Sequence, residues 1–401
     1  MHPRSLEIWI VSQSYLPHYG GITEHAWHLA ARLAGRGHRV HLLTGNPDRT
    51  GSAPRDADPP GVEVVRWGRT LRVPSHGARA CVTLVWPAGP TLERLRRAQV
   101  VHLQSPLEPL LPLWALRQAQ GVKVGTFHTG GSRDHWGYRY FSAWLRGSAL
   151  RLDRRLAVSA EAARFAAAHF PGPYVVVPNG VDLTRFAPAE GTTADETRRA
   201  TEPAAGARIL YVGRLDPRKG LAHLLEACGA LCSARSPAGG LRPQLVLVGD
   251  GPQRGTLERQ AVRRGLPVRF AGAVARGELA RFYAEADILA APATDGESFG
   301  VSLLEAMAAG LPIVAADLPG YRETLAGSGA AILYPADSPT QLAQALARLA
   351  ADRPRRREMG LSGSRFVRRY DWATIAGRVE EIYLEALEQR ASCAGGPGPA
   401  R

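Results

Sequence analysis

Two glutamates eight residues apart, Glu297 and Glu305, bracket the segment Ser298-Phe299-Gly300-Val301. The first lies in a tight turn that opens on Gly296, the second in the apolar run that follows. The backbone N–H groups of Phe299, Gly300 and Val301 fall at the start of that run. A helix leaves its first amides unpaired there and carries partial positive charge, so a helix start of this kind can hold a phosphate. Two carboxylates would repel a bare phosphate, but they suit a ligand that also carries hydroxyls, as a sugar nucleotide does. Glu297 is placed to accept from sugar hydroxyls and Glu305 to hold a ribose diol. The plainer reading is a polar turn and a helix glutamate.

A second loop supplies the opposite charge. In Gly213-Arg214-Leu215-Asp216-Pro217-Arg218-Lys219-Gly220, Arg214 and Lys219 stand five residues apart. They can bracket a diphosphate and neutralise charge that grows on a leaving group. The chain holds 48 arginines and only two lysines, Lys123 and Lys219. A lysine kept against that bias fits a place needing a compact ammonium on a flexible stem. Upstream, Gly20-Gly21 opens a helical run, and two glycines let backbone N–H groups approach a phosphate closely. His128 ends an apolar strand and faces the expected crevice. The chain has no Gly-Lys-Ser/Thr phosphate loop, no Gly-x-Ser-x-Gly elbow and no His-Glu-x-x-His. Asp250 has no acidic neighbour at a metal-pair spacing, and no metal site is expected.

An alternation of strand and helix must position these residues. Strand patterns run over Glu7–Ser12, Arg39–Thr44, Val62–Trp67, Val100–Gln104, Lys123–His128, Leu156–Ser159 and Tyr174–Pro178, with helical periods between several of them. The series pauses at Ala187–Ala207, rich in Ala, Thr, Glu and Pro, and then resumes from Arg208. Such alternation predicts parallel α/β sheets, whose ligands sit at the carboxyl ends of strands. The expected organisation is a first domain over 1–186 and a linker over 187–207. A second domain follows over 208–371, then an amphipathic helix over 372–390 and a disordered tail over 391–401.

Composition narrows the classes. With 45% hydrophobic and 21% charged residues, 401 residues suit two globular domains. No apolar run reaches the ~18 residues that span a bilayer, and the N-terminus lacks the pattern of a signal peptide. The four cysteines are scattered, with no partners for a zinc site, which fits a reducing cytoplasm. Net charge is +14, and residues 1–185 hold 23 basic against 12 acidic side chains. That field points to an anionic partner. Nucleic acid is excluded as that partner, because no recognition motif accompanies the charge.

Taken together, these pieces resemble the retaining glycosyltransferases of the GT-B fold, glycosyltransferase family 4. The matching strings are Gly20-Gly21, Phe127-His128-Thr129, Val177-Pro178-Asn179-Gly180-Val181-Asp182, Gly213–Gly220, Val248-Gly249-Asp250-Gly251-Pro252 and Glu297-x-Phe-Gly-x-x-x-x-Glu305. Within the family the chain is most similar to the phosphatidyl-myo-inositol mannosyltransferases, through Gly125–Thr129, Gly296–Gly300, Glu305–Gly310 and Tyr370-Asp371-Trp372. The resemblance implies two Rossmann-like domains facing a central cleft, with the last helix crossing back to brace the first. It sets the Gly20-Gly21 loop over the diphosphate and the transferred sugar, counts Ser298, Phe299, Gly300 and Val301 among the substrate-binding residues, and gives the donor sugar to His128 and Glu297 and the ribose to Glu305. The leaving nucleotide falls to Arg214 and Lys219, and contacts near the base to Gly249 and Asp250. It implies a hexosyltransferase with retention, no metal or other cofactor, and GDP-mannose or a UDP-sugar as donor. A lipid or glycan would be the acceptor, at the inner face of the plasma membrane.

The alternatives are a UDP-sugar-dependent glucosyl- or N-acetylglucosaminyltransferase on a soluble or polysaccharide acceptor, and a sugar-nucleotide epimerase of the same fold. The acceptor side departs from the mannosyltransferases at Ser14–Tyr19, His102–Pro106 and Gly130–Trp136, which argues against phosphatidylinositol. Arg94, Arg96 and Arg97 beside Leu92 and Leu95, with the aromatic run Trp136, Tyr138, Tyr140, Phe141 and Trp144, suit an anionic membrane surface.

Overall fold

The computed structural model describes residues 5–18, 20–46, 57–75, 78–85, 89–130, 136–187, 206–233 and 243–394. Most of the expected linker, the tail from 395, Tyr19 and the acceptor-side segment 131–135 lie outside the described residues.

The first sheet is built from β1 (Glu7–Val11), β2 (Arg39–Asn46), β3 (Val62–Ser75), β4 (Ala78–Leu84), β5 (Val100–Gln104), β6 (Val122–Phe127), β7 (Arg154–Ala157) and β8 (Val175–Val176). Its spatial order is β4-β3-β2-β1-β5-β6-β7-β8. Every pairing is parallel except the β3–β4 hairpin. The second sheet holds β9 (Arg208–Val212), β10 (Gln244–Val248), β11 (Val268–Gly272), β12 (Ile288–Ala291), β13 (Ile313–Ala316) and β14 (Ala331–Tyr334). It runs β11-β10-β9-β12-β13-β14. Central strands such as β5, β12 and β13 are buried along their whole length, as strands covered by helices on both faces must be. In each sheet the order reverses once, between β1 and β5 in the first and between β9 and β12 in the second. Those reversals open crevices at the carboxyl ends of the strands.

The helices of the first domain are α1 (Gly21–Gly35), α2 (Pro90–Arg97), α3 (Leu111–Gln118), α4 (Trp136–Ala149) and α5 (Ala160–His169). A short α6 (Leu183–Phe186) follows. Its Phe186 ring meets Tyr283 edge-on at 5.3 Å, so this residue packs in the core of the second domain. The second domain carries α7 (Leu221–Cys232), α8 (Arg254–Arg263), α9 (Arg276–Glu285), α10 (Val301–Ala308), α11 (Pro319–Leu325), α12 (Pro339–Ala351) and α13 (Arg353–Phe366). The last helix, α14 (Trp372–Ala394), returns to the first domain. There Trp372, Ile375, Val379, Ile382, Tyr383 and Ala386 join one core with Leu29, Ile10 and Val100.

Three short elements escape sequence reasoning. α6 and α11 span only four and seven residues, and α2, at eight, buries only Leu92 and Leu95 among its charged residues. Strand β4 is hidden because it forms a hairpin on an otherwise parallel sheet. α2 also corrects part of the expected patch: Leu92 and Leu95 are core residues. Arg94 bonds Glu63 through both Nη atoms at 2.9 and 2.6 Å and keeps a side chain 42% exposed, and Arg96 and Arg97 are exposed beside it. Among the described residues, no helix is long and apolar enough to cross a membrane.

Candidate active site

The second-domain half of the site is made by two loops that leave the adjacent strands β9 and β12. Gly220 joins them. It has φ +63, and a Cβ there would stand 1.8 Å from Pro292 O, so only glycine allows the close approach. Thr294 N donates to Arg218 O at 2.8 Å and fastens the two loops together. Asp216 shapes the first loop. Its carboxylate accepts from Arg218 N at 3.1 Å and pairs with Arg214 at 3.1 Å. The result brings Lys219 Nζ onto Glu297 Oε1 as an ion pair. Both residues keep partial exposure, with side chains 23% and 10% accessible. Lys219 and Glu297, 78 positions apart in sequence, thus meet at the crevice between β9 and β12.

Just beyond Glu297, α10 begins. Gly300 caps it with a left-handed φ of +87, and a Cβ there would press to 2.7 Å from the Tyr321 ring. Phe299 is buried and packs edge-on against Tyr370, so it can offer a ligand only its backbone. Glu305 lies one turn into α10 and is buried. Tyr283 Oη donates to its Oε2 at 2.6 Å. Burial pushes the Glu305 carboxyl up to about 7, against the Tyr283 bond and the field of Arg185.

That shift has a consequence for stability. In the unfolded chain a glutamate ionises near its ordinary value of 4.5. Below that pH both states are protonated and no penalty exists. As pH rises toward 7 the unfolded state loses its proton first, so folding is progressively disfavoured. Glu305→Gln keeps the acceptor for Tyr283 and removes the ionisation. Its melting temperature, relative to wild type, should rise by at least about 2–4 °C between pH 4.5 and pH 8. Equal differences at both pH values, measured by thermal scan, would refute the role of burial.

The first domain supplies the opposite wall. α1 starts at Gly21, and a Cβ there would lie 3.7 Å from Val301 Cγ2. The starts of α1 and α10 therefore converge across the cleft, each with its positive dipole end toward the other. Gly20 is exposed at the N-cap. His128 follows β6. Its Nε2 lies 2.7 Å from Gln104 Oε1, which makes Nε2 the protonated nitrogen of a neutral ring. Burial holds His128 well below the ordinary histidine range. His25 on α1 meets it edge-on at 5.0 Å. Ser298 Oγ donates to His128 O at 2.7 Å, so this expected ligand contact is also a bridge between domains.

Gly249 and Asp250 sit one strand away. A Cβ on Gly249 would stand 1.9 Å from Gly213 O. Leu215 N donates to Asp250 O at 3.0 Å. In this structure the two residues prop the loop that carries Arg214 and Lys219.

Several residues at the cleft carry no signal in sequence. Glu24 on α1 receives Arg276 Nη2 at 2.9 Å and Arg185 Nη1 at 3.8 Å. Arg276 also lies 4.0 Å over the Trp27 ring. Glu323 of α11 accepts from Ala160 N at 2.6 Å and Glu161 N at 3.2 Å, capping α5 from the other domain. Only the fold brings these partners together. Among the described residues, no group of three or more His, Cys, Asp or Glu is placed to hold a metal ion.

Two doubly wound sheets with their strand ends turned to one cleft define a GT-B glycosyltransferase. The cleft holds two converging helix starts, the cations Arg214 and Lys219 on one side and the histidine His128 on the other. Residues 19–185 match Glycosyltransferase Family 4 and residues 194–365 match Glycosyl transferases group 1. The phosphatidyl-myo-inositol mannosyltransferase of Mycobacterium leprae is 34% identical over 372 residues, covering 91% of this chain and 92% of that protein. A GDP-mannose-dependent alpha-mannosyltransferase of Mycolicibacterium smegmatis is 31% identical, covering 96% of this chain and 99% of that one. The solved sucrose-phosphate synthase of Thermosynechococcus elongatus aligns with a TM-score of 0.72 at 23% identity, over 95% of this chain and 99% of that chain, a likeness of fold. The chain belongs to glycosyltransferase family 4 and is a hexosyltransferase.

Proposed function

We propose that the chain transfers mannose from GDP-mannose, with retention and without a metal, to a hydroxyl of a lipid at the inner face of the plasma membrane. The observation that carries this reading is the meeting of Lys219 and Glu297 beside the converging starts of α1 and α10. The relatives' activities favour mannose among hexoses.

The diphosphate binds beside the two helix starts, where their free amides can reach it. Lys219 and Arg214 approach its oxygens and neutralise the charge that develops as the sugar–phosphate bond breaks. Glu297 then exchanges Lys219 for hydroxyls of the sugar. His128 holds a further sugar hydroxyl from the first domain. The acceptor oxygen attacks on the face the phosphate leaves. Its proton passes to the departing phosphate oxygen, so configuration is kept and the step balances without an enzymic base.

Thermal-shift screening against GDP, UDP and ADP tests the donor. GDP should raise the melting temperature most. A larger shift with UDP overturns GDP-mannose and favours a UDP-sugar-dependent enzyme acting on a soluble or polysaccharide acceptor.

The membrane surface is assigned to α4. Tyr140, Phe141 and Trp144 on this helix are 73%, 50% and 58% exposed, with Leu150 just beyond it at 75%. Arg117 lies 4.6 Å over the Trp144 ring, and Arg146 is exposed beside it. Aromatic rings flanked by arginine suit an interface with anionic lipid. Vesicles rich in anionic lipid should float with the wild type, and the double variant Phe141→Glu, Trp144→Glu should stay behind. Equal flotation with neutral vesicles would remove the charge argument.

A further inference from the structure

The two domains touch across the cleft at Ser298, at Glu323 and at Glu24. The contact at Glu24 differs from the others in being a buried ion cluster. Glu24 stands one turn into α1, in the first domain. Its Oε1 accepts from Arg276 Nη2 at 2.9 Å, and its Oε2 lies 3.8 Å from Arg185 Nη1. Arg276 opens α9 of the second domain. Arg185 is on α6, whose Phe186 packs in the second domain's core. The Arg276 guanidinium also lies 4.0 Å over the Trp27 ring. A second-domain arginine is therefore seated in a socket made by two residues of α1. Arg185 Nη2 donates to Arg276 O and ties the two arginines together.

The cluster sits between the hinge and the converging helix starts. His28 Nε2 lies 3.5 Å from Glu24 Oε2, and the His28 ring stacks on Trp372 at 5.3 Å. There the two chain crossings between the domains run side by side. Val181 N donates to Tyr370 O at 2.8 Å, and Trp372 N to Val181 O at 3.4 Å. On the other side, Gly21 opens the same helix against Val301. The far end of α9 bears on the donor as well. Tyr283, two turns beyond Arg276, donates to Glu305 at 2.6 Å. The helix held by the socket thus also holds the glutamate assigned to the ribose.

The side chains of Glu24, Arg276 and Arg185 are 18%, 10% and 13% exposed. Burial pushes the Glu24 carboxyl up, but His28, Arg276 and Arg185 together hold it below its ordinary value. A buried charge deprived of its partner is costly, so this contact has no cheap halfway state. It is either fully made, or the domains part and water takes up both charges. That is the behaviour of a two-state element.

We infer that Glu24 and Arg276 form a latch across the cleft, which keeps the two halves of the donor seat assembled. They are positioning residues for the nucleotide sugar. The donor half of this inference rests on the hexosyl-transfer reading above, and the latch itself on the contacts alone. With the latch intact, nucleotide meets a seat already formed. With it broken, the formed seat becomes a minor population, and the apparent Kd rises by the inverse of that fraction.

The full chain is compared with Glu24→Gln, Arg276→Gln, the double variant and Arg276→Lys. Small-angle X-ray scattering without nucleotide reads the cleft, and calorimetry with GDP and with UDP reads the donor seat. Each glutamine variant should show a larger radius of gyration than wild type. Each should also raise the Kd of the better-bound nucleotide roughly tenfold. Saturating nucleotide should return the variants to the wild-type radius, which a mere loss of packing would not do. The double variant should bind within about twofold of the weaker single, because both singles break one contact. Arg276→Lys keeps a cation for Glu24 but loses the planar face toward Trp27. It should fall between, and it serves if the glutamine variants do not fold. Three results overturn the proposal: variants that scatter like wild type, a nucleotide Kd within about twofold of wild type, or a double variant whose loss is the product of the two singles. Failure of the wild type to bind either nucleotide overturns the donor reading and the donor half of this inference, and the radii then decide the latch.

Discussion

Alanine at Lys219 or at Glu297 is expected to abolish transfer while the protein stays folded. The two side chains bond each other at the crevice between β9 and β12, so each variant removes one half of the same contact. Lys219 faces the place where the leaving diphosphate gains charge. Removing one such electrostatic group costs about a hundredfold to a thousandfold in turnover. Glu297 fixes the sugar, and loss of a charged hydrogen bond to a hydroxyl costs roughly 1.5–3 kcal/mol more. Stability should fall by about 1–3 kcal/mol, because the side chains are only 23% and 10% accessible and the survivor is left partly desolvated. Lys219→Arg should rescue poorly. A planar guanidinium does not occupy the space of a compact ammonium, and the loop is held tightly by the contact of Gly220 with Pro292 O. Turnover and melting temperature are measured side by side. An alanine variant that keeps turnover within about tenfold of wild type, with a normal melting curve, would show that this pair is not the site.

These two residues were legible in sequence because their chemistry was conspicuous. Lys219 is one of two lysines among 50 basic residues, and Glu297 opens an unusual glycine-flanked turn. The doubly wound fold was legible for a related reason: strands covered on both faces read as apolar runs, and β5, β12 and β13 are such runs. What the sequence hid is contact between distant segments. Nothing near Glu24 announces Arg276, 252 residues away. Nothing near Ala160 announces that Glu323 will cap its helix. Ser298 looked like a ligand contact because it adjoins a helix start, and its bond to His128 O exists only once the domains face each other. Arg94 hid its partner in the same way: nothing beside it announces Glu63 on β3, 31 residues away.

Deleting α14, or placing a charge in its buried face, is expected to unfold the first domain. This helix is distant in sequence from the strands it covers, yet it is part of their core. Val379 is fully buried, with Ile375, Ala376, Ile382, Tyr383 and Ala386 at 4% exposure or less. Tyr383 Oη lies 2.5 Å from His102 Nδ1, beneath the middle of β5. Glu380 is bonded by Arg36 and by His38 Nε2, the latter at 2.9 Å. Each large apolar side chain lost from such a core costs about 2–5 kcal/mol, and a domain has only about 5–15 kcal/mol to lose. Deletion of 372–394 removes several at once. Val379→Asp buries a charge with no partner among the apolar neighbours of the cluster, which is costly by itself. Arg378→Ala is the control: Arg378 is 48% exposed and, among the described residues, pairs with exposed Glu381 and Glu385, so its loss should be worth less than about 1 kcal/mol. Trp372→Ala tests the link to catalysis. Its ring stacks on His28 and meets His25 edge-on, both at 5.3 Å, and His25 in turn touches His128. The variant should lose about 3–5 kcal/mol of stability, and turnover at a temperature where it remains folded should fall as well. If Val379→Asp melts within a few degrees of wild type, the crossing helix is an appendage of the first domain and not part of its core.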